Sequence, residues 1–305
     1  MNGPRVLAVD IGGTKFAAAV IDEDGTVCAR AEEAIAGADP AEVLGRVIAA
    51  TDPAGVVAAG IGTAGPLDRA RGTVSPVNIP AWRDFPLAAT VGDRLPGVPV
   101  VMAGDAQCMA LGEWWRGTAR DRAGALLGIV VSTGIGGGVV LDGRPHLGPT
   151  GNAGHIGHIT VDPRGEPCPC GAVGCVETFA SGPAMVRWAA GQGWTLPPGS
   201  PADARSLAAA ARAGDEVAQA AFDRAAEALA TGLLTTAALF DLDRVVVGGG
   251  VAAAGDTLLA PIRRALLARD GMAFLRRLRV EPSTLGRDAG LFGAAALARL
   301  HAPGA

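Results

Sequence analysis

Short apolar runs separated by glycine or acidic turns open the chain. Residues 6–9 are apolar, the glycine segment 10–14 follows, apolar residues return over 16–21, and an acidic turn at 22–25 precedes a run at 26–29. Runs of this length between turn residues are typical of strands. The pattern therefore predicts a three-stranded antiparallel meander at the start of the first domain.

The next segment has the apolar spacing of a helix. Apolar residues recur every three or four positions over 40–50, and Asp39 is available as the N-cap. Apolar runs at 56–61 and 98–102 predict buried strands, and the second leads into a predicted helix over 106–115.

The second half repeats the opening pattern. An apolar strand at 126–132 is followed by a glycine turn and a strand at 139–141. The remaining predicted elements are a helix over 204–240, a strand over 244–247, a helix over 256–268 and a helix over 289–300 that could pack back on the first domain. This weak internal repetition predicts two related α/β domains that face each other across a cleft.

Composition directs attention to the glycines. Of 305 residues, 45 are glycine, whereas an average protein has about 7%. Hydrophobic residues reach 49% and charged residues 18%, which excludes a disordered chain, and the absence of a Gly-X-Y period excludes collagen.

Charge argues against a nucleic-acid partner. Lys and Arg number 26 against 30 Asp and Glu, giving a net charge of -4, and the densest basic stretch, 276–279, is interpreted as a solvated edge before a strand. No run of about 18 apolar residues and no signal-peptide pattern occurs. We therefore expect a cytoplasmic protein with no membrane partner.

The first glycine turn has the residues of a phosphate site. Gly12 and Gly13 allow the backbone to approach an anion closely, while Thr14 and Lys15 could contact phosphate. Asp10, at the strand end, could orient a hydrated Mg²⁺. A plain hairpin turn is the alternative, because the spacing is that of neither a P-loop nor a Rossmann fingerprint.

Two further glycine turns lie at strand ends. Segment 132–138 repeats the first arrangement, and segment 248–250 lies between a strand and a helix, where nucleotides commonly dock in α/β folds. Three such turns predict binding of nucleotide phosphates. The positions expected to contact the nucleotide in these two turns are Thr133, Gly134, Gly136, Gly137, Gly248, Gly249 and Gly250.

A cluster of metal-ligand residues follows the second turn. His158, Cys168, Cys170 and Cys175 offer one imidazole and three thiols, a set that suits a closed, structural Zn²⁺ site. Buried free thiols are the alternative. Zinc would order the loop that carries Glu177.

Together these segments resemble the ROK family (repressor, open reading frame, kinase) of the actin-like ATPase clan of sugar kinases. The motifs that carry the resemblance are DIGGTK at 10–15, STGIGGG at 132–138, CPCGAVGCVE at 168–177 and VVVGGGV at 245–251. The resemblance covers nearly the whole chain and implies ATP, Mg²⁺ and structural Zn²⁺ as cofactors.

The fold that this resemblance implies has two RNase H-like α/β domains around a central cleft, with a zinc-stabilised loop. Residues 1–117 and the C-terminal helix at 289–305 would form the small domain. Residues 118–288 would form the large domain, with the zinc loop and the nucleotide site. The family commonly forms homodimers or homotetramers.

The resemblance also implies roles for individual residues. Asp105 matches the general base that takes the proton from a sugar's primary hydroxyl, although it could equally be a helix N-cap. His158 matches a residue that binds zinc and reaches the sugar, and Glu177 an acid that accepts hydrogen bonds from hydroxyls. The positions expected to line the acceptor pocket are Gly65, Asn78, Gly104, Asp105, His155, His158 and Glu177.

Two of these positions depart from the family pattern. Gly104 stands where hexose kinases usually have Asn, and His155 where they usually have Glu. Both lost residues bind ring hydroxyls, so glucose recognition should weaken. The expected acceptor is a modified ring, either a C7-cyclitol such as a valiolone-type ring or an amino sugar. The cyclitol is favoured because an amine would lose a carboxylate partner.

Other functions remain open at this stage. An ordinary glucokinase with a variant pocket is the main alternative acceptor assignment. A catalytically silent sugar sensor or regulator is the alternative of another class, and a DNA-binding repressor is disfavoured because the first strand starts close to Met1. Polyphosphate could replace ATP as donor, but the net charge of -4 gives no support for it.

Overall fold

The computed structural model describes residues 3–120, 124–196, 199–269 and 271–303. In chain order its strands are β1 (Arg5–Ile11), β2 (Lys15–Ile21), β3 (Val27–Ala34), β4 (Val56–Thr63), β5 (Leu67–Asp68), β6 (Thr73–Val74), β7 (Val100–Gly104), β8 (Ala125–Val131), β9 (Ile135–Leu141), β10 (Arg144–His146), β11 (Arg244–Gly248) and β12 (Arg279–Pro282). Its α-helices are α1 (Pro40–Ala49), α2 (Leu87–Gly92), α3 (Asp105–Trp115), α4 (Val176–Ala180), α5 (Gly182–Gly191), α6 (Ala204–Arg212), α7 (Glu216–Phe240), α8 (Asp256–Leu267) and α9 (Ala289–Arg299).

The chain divides into two compact units. The first consists of Met1–Arg122, Gly138–Gly154 and Arg287–Ala305, and the second of Ala123–Gly137 and His155–Gly286. The limits expected from the sequence, at 117 and 289, remain predictions of domain boundaries. Those limits did not assign residues 138–154 to the first unit.

The sheet of the first unit has the strand order β3-β2-β1-β4-β7. The first three strands pair in antiparallel fashion, which is the meander expected from the sequence, and β4 and β7 run parallel to β1. One face carries large apolar residues such as Leu7, Val9 and Phe16, which pack with the apolar residues of α1 and α2. The side chain of Asp39 accepts a hydrogen bond from the Ala41 N–H (2.8 Å) and caps α1 as predicted.

The opposite face is built for close approach by α9. A Cβ on Gly60 of β4 would lie 1.9 Å from the Ala294 carbonyl oxygen, and a Cβ on Gly293 would lie 1.6 Å from the Cys108 carbonyl oxygen. Only glycine at these positions allows the backbones of β4, α3 and α9 to pack directly against one another.

The second sheet has the order β10-β9-β8-β11-β12. Strands β8, β11 and β12 are parallel, and β9 and β10 pair in antiparallel fashion. The predicted α/β class with two sheets is therefore confirmed. Among the helices that the structure describes, none has the length and apolar character needed to cross a bilayer.

Two sequence-based element assignments were wrong. The predicted single helix over 204–240 is two helices, because Gly214 has a φ of +96° and the Asp215 side chain caps α7 by accepting from the Ala218 N–H (2.8 Å). The second glycine turn is also shorter than expected, since β9 begins at Ile135. Gly138 lies inside this strand, where α3 packs so closely that a Cβ would be 2.4 Å from the Gln107 Cα. Glycine in a strand often marks such a close backbone approach.

Candidate active site and metal cluster

Asp10 stands near the end of β1, in a space that two glycines keep open. It is opposite Gly62 in the parallel register with β4, where a Cβ would lie 3.7 Å from Asp10 Oδ1. A Cβ on Gly290, in the first turn of α9, would lie 3.1 Å from both carboxylate oxygens. Burial, followed by the negative charge of Asp105, raises the pKa of Asp10 to about 7. A bound cation would therefore stabilise the ionised form of Asp10.

The first glycine turn is tight and is covered by Asn78. The Gly12 N–H donates to the Lys15 carbonyl oxygen (3.1 Å), and a Cβ on Gly13 would lie 2.9 Å from Asn78 Nδ2. The structure therefore places Asn78, expected from the sequence in the acceptor pocket, on the glycine turn itself. Gly65 lies in the loop between β4 and β5.

Lys15 is engaged within the sheet. Its Nζ lies 2.6 Å from Glu32 Oε1 on β3, and this hydrogen bond lowers the pKa of Glu32. Both side chains are more than one third exposed. A phosphate contact by Lys15 would require the ammonium group to leave or share this partner.

Asp105 is the first residue of α3 and is exposed. Its Oδ1 accepts a hydrogen bond from the Ala106 N–H (2.7 Å), and the N-cap of the helix is Gly104, not Asp105. A carboxylate at a helix N-terminus is stabilised by the unpaired N–H groups there. The negative charge of Asp105 contributes to the raised pKa of Asp10, so these two carboxylates of the first unit influence each other electrostatically.

In the second unit, the second and third glycine turns meet. The Val251 N–H donates to the Val131 carbonyl oxygen (2.9 Å), and Gly249, with a φ of +98°, would place a Cβ 2.4 Å from that same oxygen. The Gly182 N–H at the start of α5 donates to the Ser132 carbonyl oxygen (2.8 Å). Gly248 ends β11 at this point, so the strand end, both turns and α5 converge.

Glu177 binds the backbone at the end of the second glycine turn. Its Oε2 accepts a hydrogen bond from the Ile135 N–H (2.7 Å), and a Cβ on Gly134 would lie 2.8 Å from the same oxygen. Thr133, by contrast, is exposed. One oxygen of Glu177, which the sequence assigned to hydroxyl recognition, is therefore bound to the backbone of the turn.

The four predicted metal ligands converge. Their ligand atoms all lie within 4.8 Å of one another, with Cys168 Sγ 3.7 Å from His158 Nδ1 and Cys170 Sγ 3.7 Å from Cys175 Sγ. Burial raises the pKa of the Cys175 thiol to about 12, while the Ala172 N–H lowers the pKa of Cys170. The cluster could hold a metal ion.

A short 3-10 helix at Ile156–His158 connects this cluster to the second glycine turn. A Cβ on Gly157 would lie 2.2 Å from the Ile135 carbonyl oxygen, so this turn packs directly on the start of β9. The His155 and His158 rings are stacked, with centroids 5.9 Å apart and planes 15° apart. Because His158 Nδ1 faces Cys168, the Nε2 of His158 points away from that thiol.

Sequence reasoning missed two residues near the candidate base and the acid on β1. Gly290 carries no motif, and its role follows only from the packing of α9. Gln107 accepts a hydrogen bond from the Gly104 N–H (2.8 Å). A Gln three residues after a helix N-cap is a known capping pattern, so this signal was present in the sequence.

Comparison with known proteins identifies the family of this chain. A model of the ROK family matches residues 6–301. A glucokinase from Streptomyces coelicolor is 36% identical over 96% of this chain and 97% of its own length, and an N-acetylmannosamine kinase from Escherichia coli is 38% identical over 96% and 98%. The crystal structure of a ROK family glucokinase from Streptomyces griseus, in complex with glucose and AMPPNP, has a TM-score of 0.81 and 36% identity, covering 97% of this chain and 99% of that one. The chain belongs to the ROK family.

Proposed function

We propose that this chain is an ATP-dependent sugar kinase that phosphorylates the exocyclic primary hydroxyl of a hexose-like ring. The observation that carries the proposal is the exposed carboxylate of Asp105 at the start of α3, whose charge acts on the half-buried acid Asp10. The proposal is supported by the ROK glucokinase of similar fold that was crystallised with glucose and AMPPNP.

In the proposed reaction the ring hydroxyl oxygen attacks the γ-phosphorus of ATP. A new oxygen–phosphorus bond forms as the bond to the β–γ bridging oxygen breaks, ADP leaves, and Asp105 takes the hydroxyl proton. Positioned bases of this kind contribute about 10²–10⁴-fold. Backbone N–H groups of the glycine turns would bind phosphate oxygens. The assigned positions are Gly12, Gly13, Thr14, Lys15, Thr133, Gly134, Gly136, Gly137, Gly248, Gly249 and Gly250.

Asp10 is the residue that would hold Mg²⁺. Its burial and the neighbouring Asp105 both disfavour its negative charge, and a divalent cation would offset both effects. Bound Mg²⁺ would supply charge neutralisation to the phosphates.

For the acceptor we propose a modified ring, and a neutral C7-cyclitol before an amino sugar. Gly104 has no side chain to bind a ring hydroxyl, and His155 cannot accept as a carboxylate does. Plain glucose is the second candidate, because relatives at similar identity are named glucokinase and N-acetylmannosamine kinase. Identity alone does not separate these acceptors.

The acceptor is tested by measuring ADP release with ATP and a panel of acceptors. The panel contains glucose, N-acetylmannosamine, glucosamine and a valiolone-type cyclitol. Each acceptor is also assayed with polyphosphate as donor, by detecting the phosphorylated product. We expect kcat/KM for the cyclitol to exceed that for glucose by at least about tenfold. A kcat/KM near ~10⁵ M⁻¹s⁻¹ for glucose would instead assign an ordinary glucokinase. No phosphorylated product with any acceptor and either donor would favour a silent sugar sensor.

The role of Asp105 is tested by Asp105→Asn, which keeps the shape of the side chain. We expect kcat to fall by about 10²–10⁴-fold, whereas binding of AMPPNP persists because the substitution removes the proton acceptor and leaves the backbone N–H groups of the glycine turns unchanged. Phosphorylation near the wild-type rate would show that Asp105 is not the base.

We further propose that the four-residue cluster binds structural Zn²⁺. Two ligand atoms each about 2.3 Å from a tetrahedral centre are about 3.8 Å apart, close to the observed 3.7 Å between Cys170 Sγ and Cys175 Sγ. Zinc would hold the cysteines as thiolates and fix the loop that leads to Glu177.

Cys28 provides the matched control for this cluster, because it is exposed like Cys170 but lies outside the group. Metal analysis should find about one zinc per chain in wild type and in Cys28→Ser, and substantially less in Cys170→Ser. Equal zinc in both variants, or none in wild type purified without chelators, would contradict the assignment.

A further inference from the structure

Gln107 is a buried side chain whose hydrogen-bonding groups are all engaged. It is 4% exposed and lies in the first turn of α3. Its Oε1 accepts from the Gly104 N–H (2.8 Å), and its Nε2 donates to the carbonyl oxygens of Ala153 (2.7 Å) and Gly151 (3.2 Å). The side chain therefore joins two backbone segments of the first unit that are distant in sequence.

One of these segments is the start of the helix that carries Asp105. A helix begins with N–H groups that lack partners, and an N-cap side chain usually satisfies one of them. Gly104 at the N-cap has no side chain to accept from these groups. Asp105 Oδ1 accepts from the Ala106 N–H, and Gln107 Oε1 accepts from the Gly104 N–H. It makes the half of a capping box that reaches back from the third helical residue.

Gly104 and Gln107 share one small space. The backbone at residue 104 has φ -62° and ψ 148°, which any residue can adopt. A Cβ at this position would lie 3.3 Å from Gln107 Oε1, closer than ordinary contact. A side chain at 104 would therefore require Gln107 Oε1 to move by a few tenths of an ångström.

The other segment is the loop that leads towards His155. Gly151 has a φ of +92°, and its carbonyl oxygen and that of Ala153 both receive the Gln107 amide. A second side chain, Asn152, holds the same loop to the backbone of Leu67, with Nδ2 2.9 Å from the Leu67 oxygen. Asn152 makes no hydrogen bond to α3 among those described for this loop.

We propose that Gln107 is a positioning residue for the phosphoryl-transfer base: it binds the Gly104 N–H, directly before Asp105, and the carbonyl oxygens of Gly151 and Ala153, and so fixes Asp105 relative to the backbone of residues 151–153. This inference rests on the proposed role of Asp105. Small displacements of a reacting group can cost about 10²-fold in rate, so the hydrogen bonds of Gln107 would matter for kcat.

The test compares Gln107→Met with Asn152→Ala as the matched control. Met keeps the length of Gln107 but loses all three hydrogen bonds, whereas Asn152→Ala loosens the same loop and leaves the cap of α3 intact. We expect Gln107→Met to lower kcat by roughly 10–100-fold with the Kd for AMPPNP within about twofold, and Asn152→Ala to change kcat by less than about threefold.

Urea unfolding separates positioning from general stability. We expect the loss of kcat in Gln107→Met to persist under conditions in which urea unfolding shows that the variant is fully folded. A wild-type kcat under those conditions would contradict the positioning role.

The outcomes are distinguishable. If Asp105→Asn is inactive but Gln107→Met has the wild-type kcat, or if Asn152→Ala loses as much kcat as Gln107→Met, the positioning role is overturned and the proposed function stands. If Asp105→Asn is fully active, the proposed base fails whatever Gln107 does. Should Gln107→Met not fold, Gln107→Asn keeps the amide on a side chain one methylene shorter, and we expect kcat to fall by roughly 10–100-fold. A wild-type kcat in that variant contradicts the positioning role.

Discussion

Asp10 and Glu177 are the carboxylates next to the first and second glycine turns, and the protein holds them in different ways. Asp10 is half-buried and under the influence of the charge of Asp105, and its pKa is raised to about 7. Glu177 gives one oxygen to the Ile135 N–H of its own turn (2.7 Å). The charge of Asp10 therefore destabilises the folded state, whereas Glu177 stabilises the second turn.

This difference separates two uses of the same sequence pattern. Strand, glycine turn and strand occur in both halves. At the first turn the carboxylate Asp10 is disfavoured by its surroundings, whereas at the second turn the carboxylate Glu177 accepts a backbone hydrogen bond. Acids kept in destabilising surroundings are common at functional sites. The first turn is therefore the better place to look for a residue kept for cation binding, and the second for a residue kept for shape.

The largest expected effect is opposite in sign at the two acids. The pKa of Asp10 is about 7 in the folded protein, against an ordinary value of 3.8. Asp10 therefore lowers the free energy of unfolding as pH rises from about 4 to about 7, because the unfolded chain ionises more easily. Asp10→Asn removes that loss, so we expect it to stabilise the magnesium-free protein by about 2–4 kcal/mol at pH 8, and by less at pH 5. Glu177→Gln should destabilise it by about 1 kcal/mol at pH 8.

Urea unfolding at the two pH values measures both changes, and ADP release shows whether Asp10→Asn loses activity as a magnesium-binding residue should. Destabilisation by Asp10→Asn at pH 8 would mean that the acid is already paired in the folded protein. The contrast between the two turns would then disappear.

A smaller effect is expected from two glycines that face these acids. Alanine at 290 would place a Cβ 3.1 Å from the Asp10 carboxylate, and alanine at 134 would place one 2.8 Å from Glu177 Oε2. We expect Gly290→Ala to lower kcat several-fold without loss of stability, because alanine favours the helix by up to about 1 kcal/mol. Gly134→Ala should instead lower the unfolding free energy by about 1 kcal/mol, through the lost Ile135 hydrogen bond.

Steady-state kinetics and urea unfolding of both glycine variants check this second contrast. A loss of stability in Gly290→Ala equal to that in Gly134→Ala would show that both glycines serve packing alone.

The smallest expected effect concerns Lys15. Its ion pair with Glu32 is more than one third exposed, so Glu32→Gln should change stability by less than about 1 kcal/mol. The same change frees the Lys15 ammonium group, and we expect the KM for ATP to fall or stay within about twofold. A several-fold rise in this KM would show that Glu32 orients Lys15 productively.

Local patterns were enough for most of the elements. The meander of β1 to β3 and the cap of α1 by Asp39 follow from apolar runs and turn residues, and the structure contains them. The break at Gly214 and Asp215 was also visible as a glycine followed by a capping acid, but the Ala/Leu-rich composition on both sides concealed it.

The rest depended on contacts that a local pattern cannot show. The glycines of β9 were expected to form a turn, and they continue a strand because α3 packs against Gly138. The convergence of His158 with three cysteines was readable from residue type and spacing. The placement of Asn78 on Gly13 and of Glu177 on Ile135 was not, because each contact joins segments more than 40 residues apart.

The packing of α9 has a consequence for the order of synthesis. Gly60 and Gly293 bring α9 into direct backbone contact with β4 and α3, so the first sheet keeps an open apolar face until residues 289–299 exist. A ribosome releases the N-terminal strands long before that helix. The nascent first unit must therefore wait, with this face uncovered, while the whole second unit is translated.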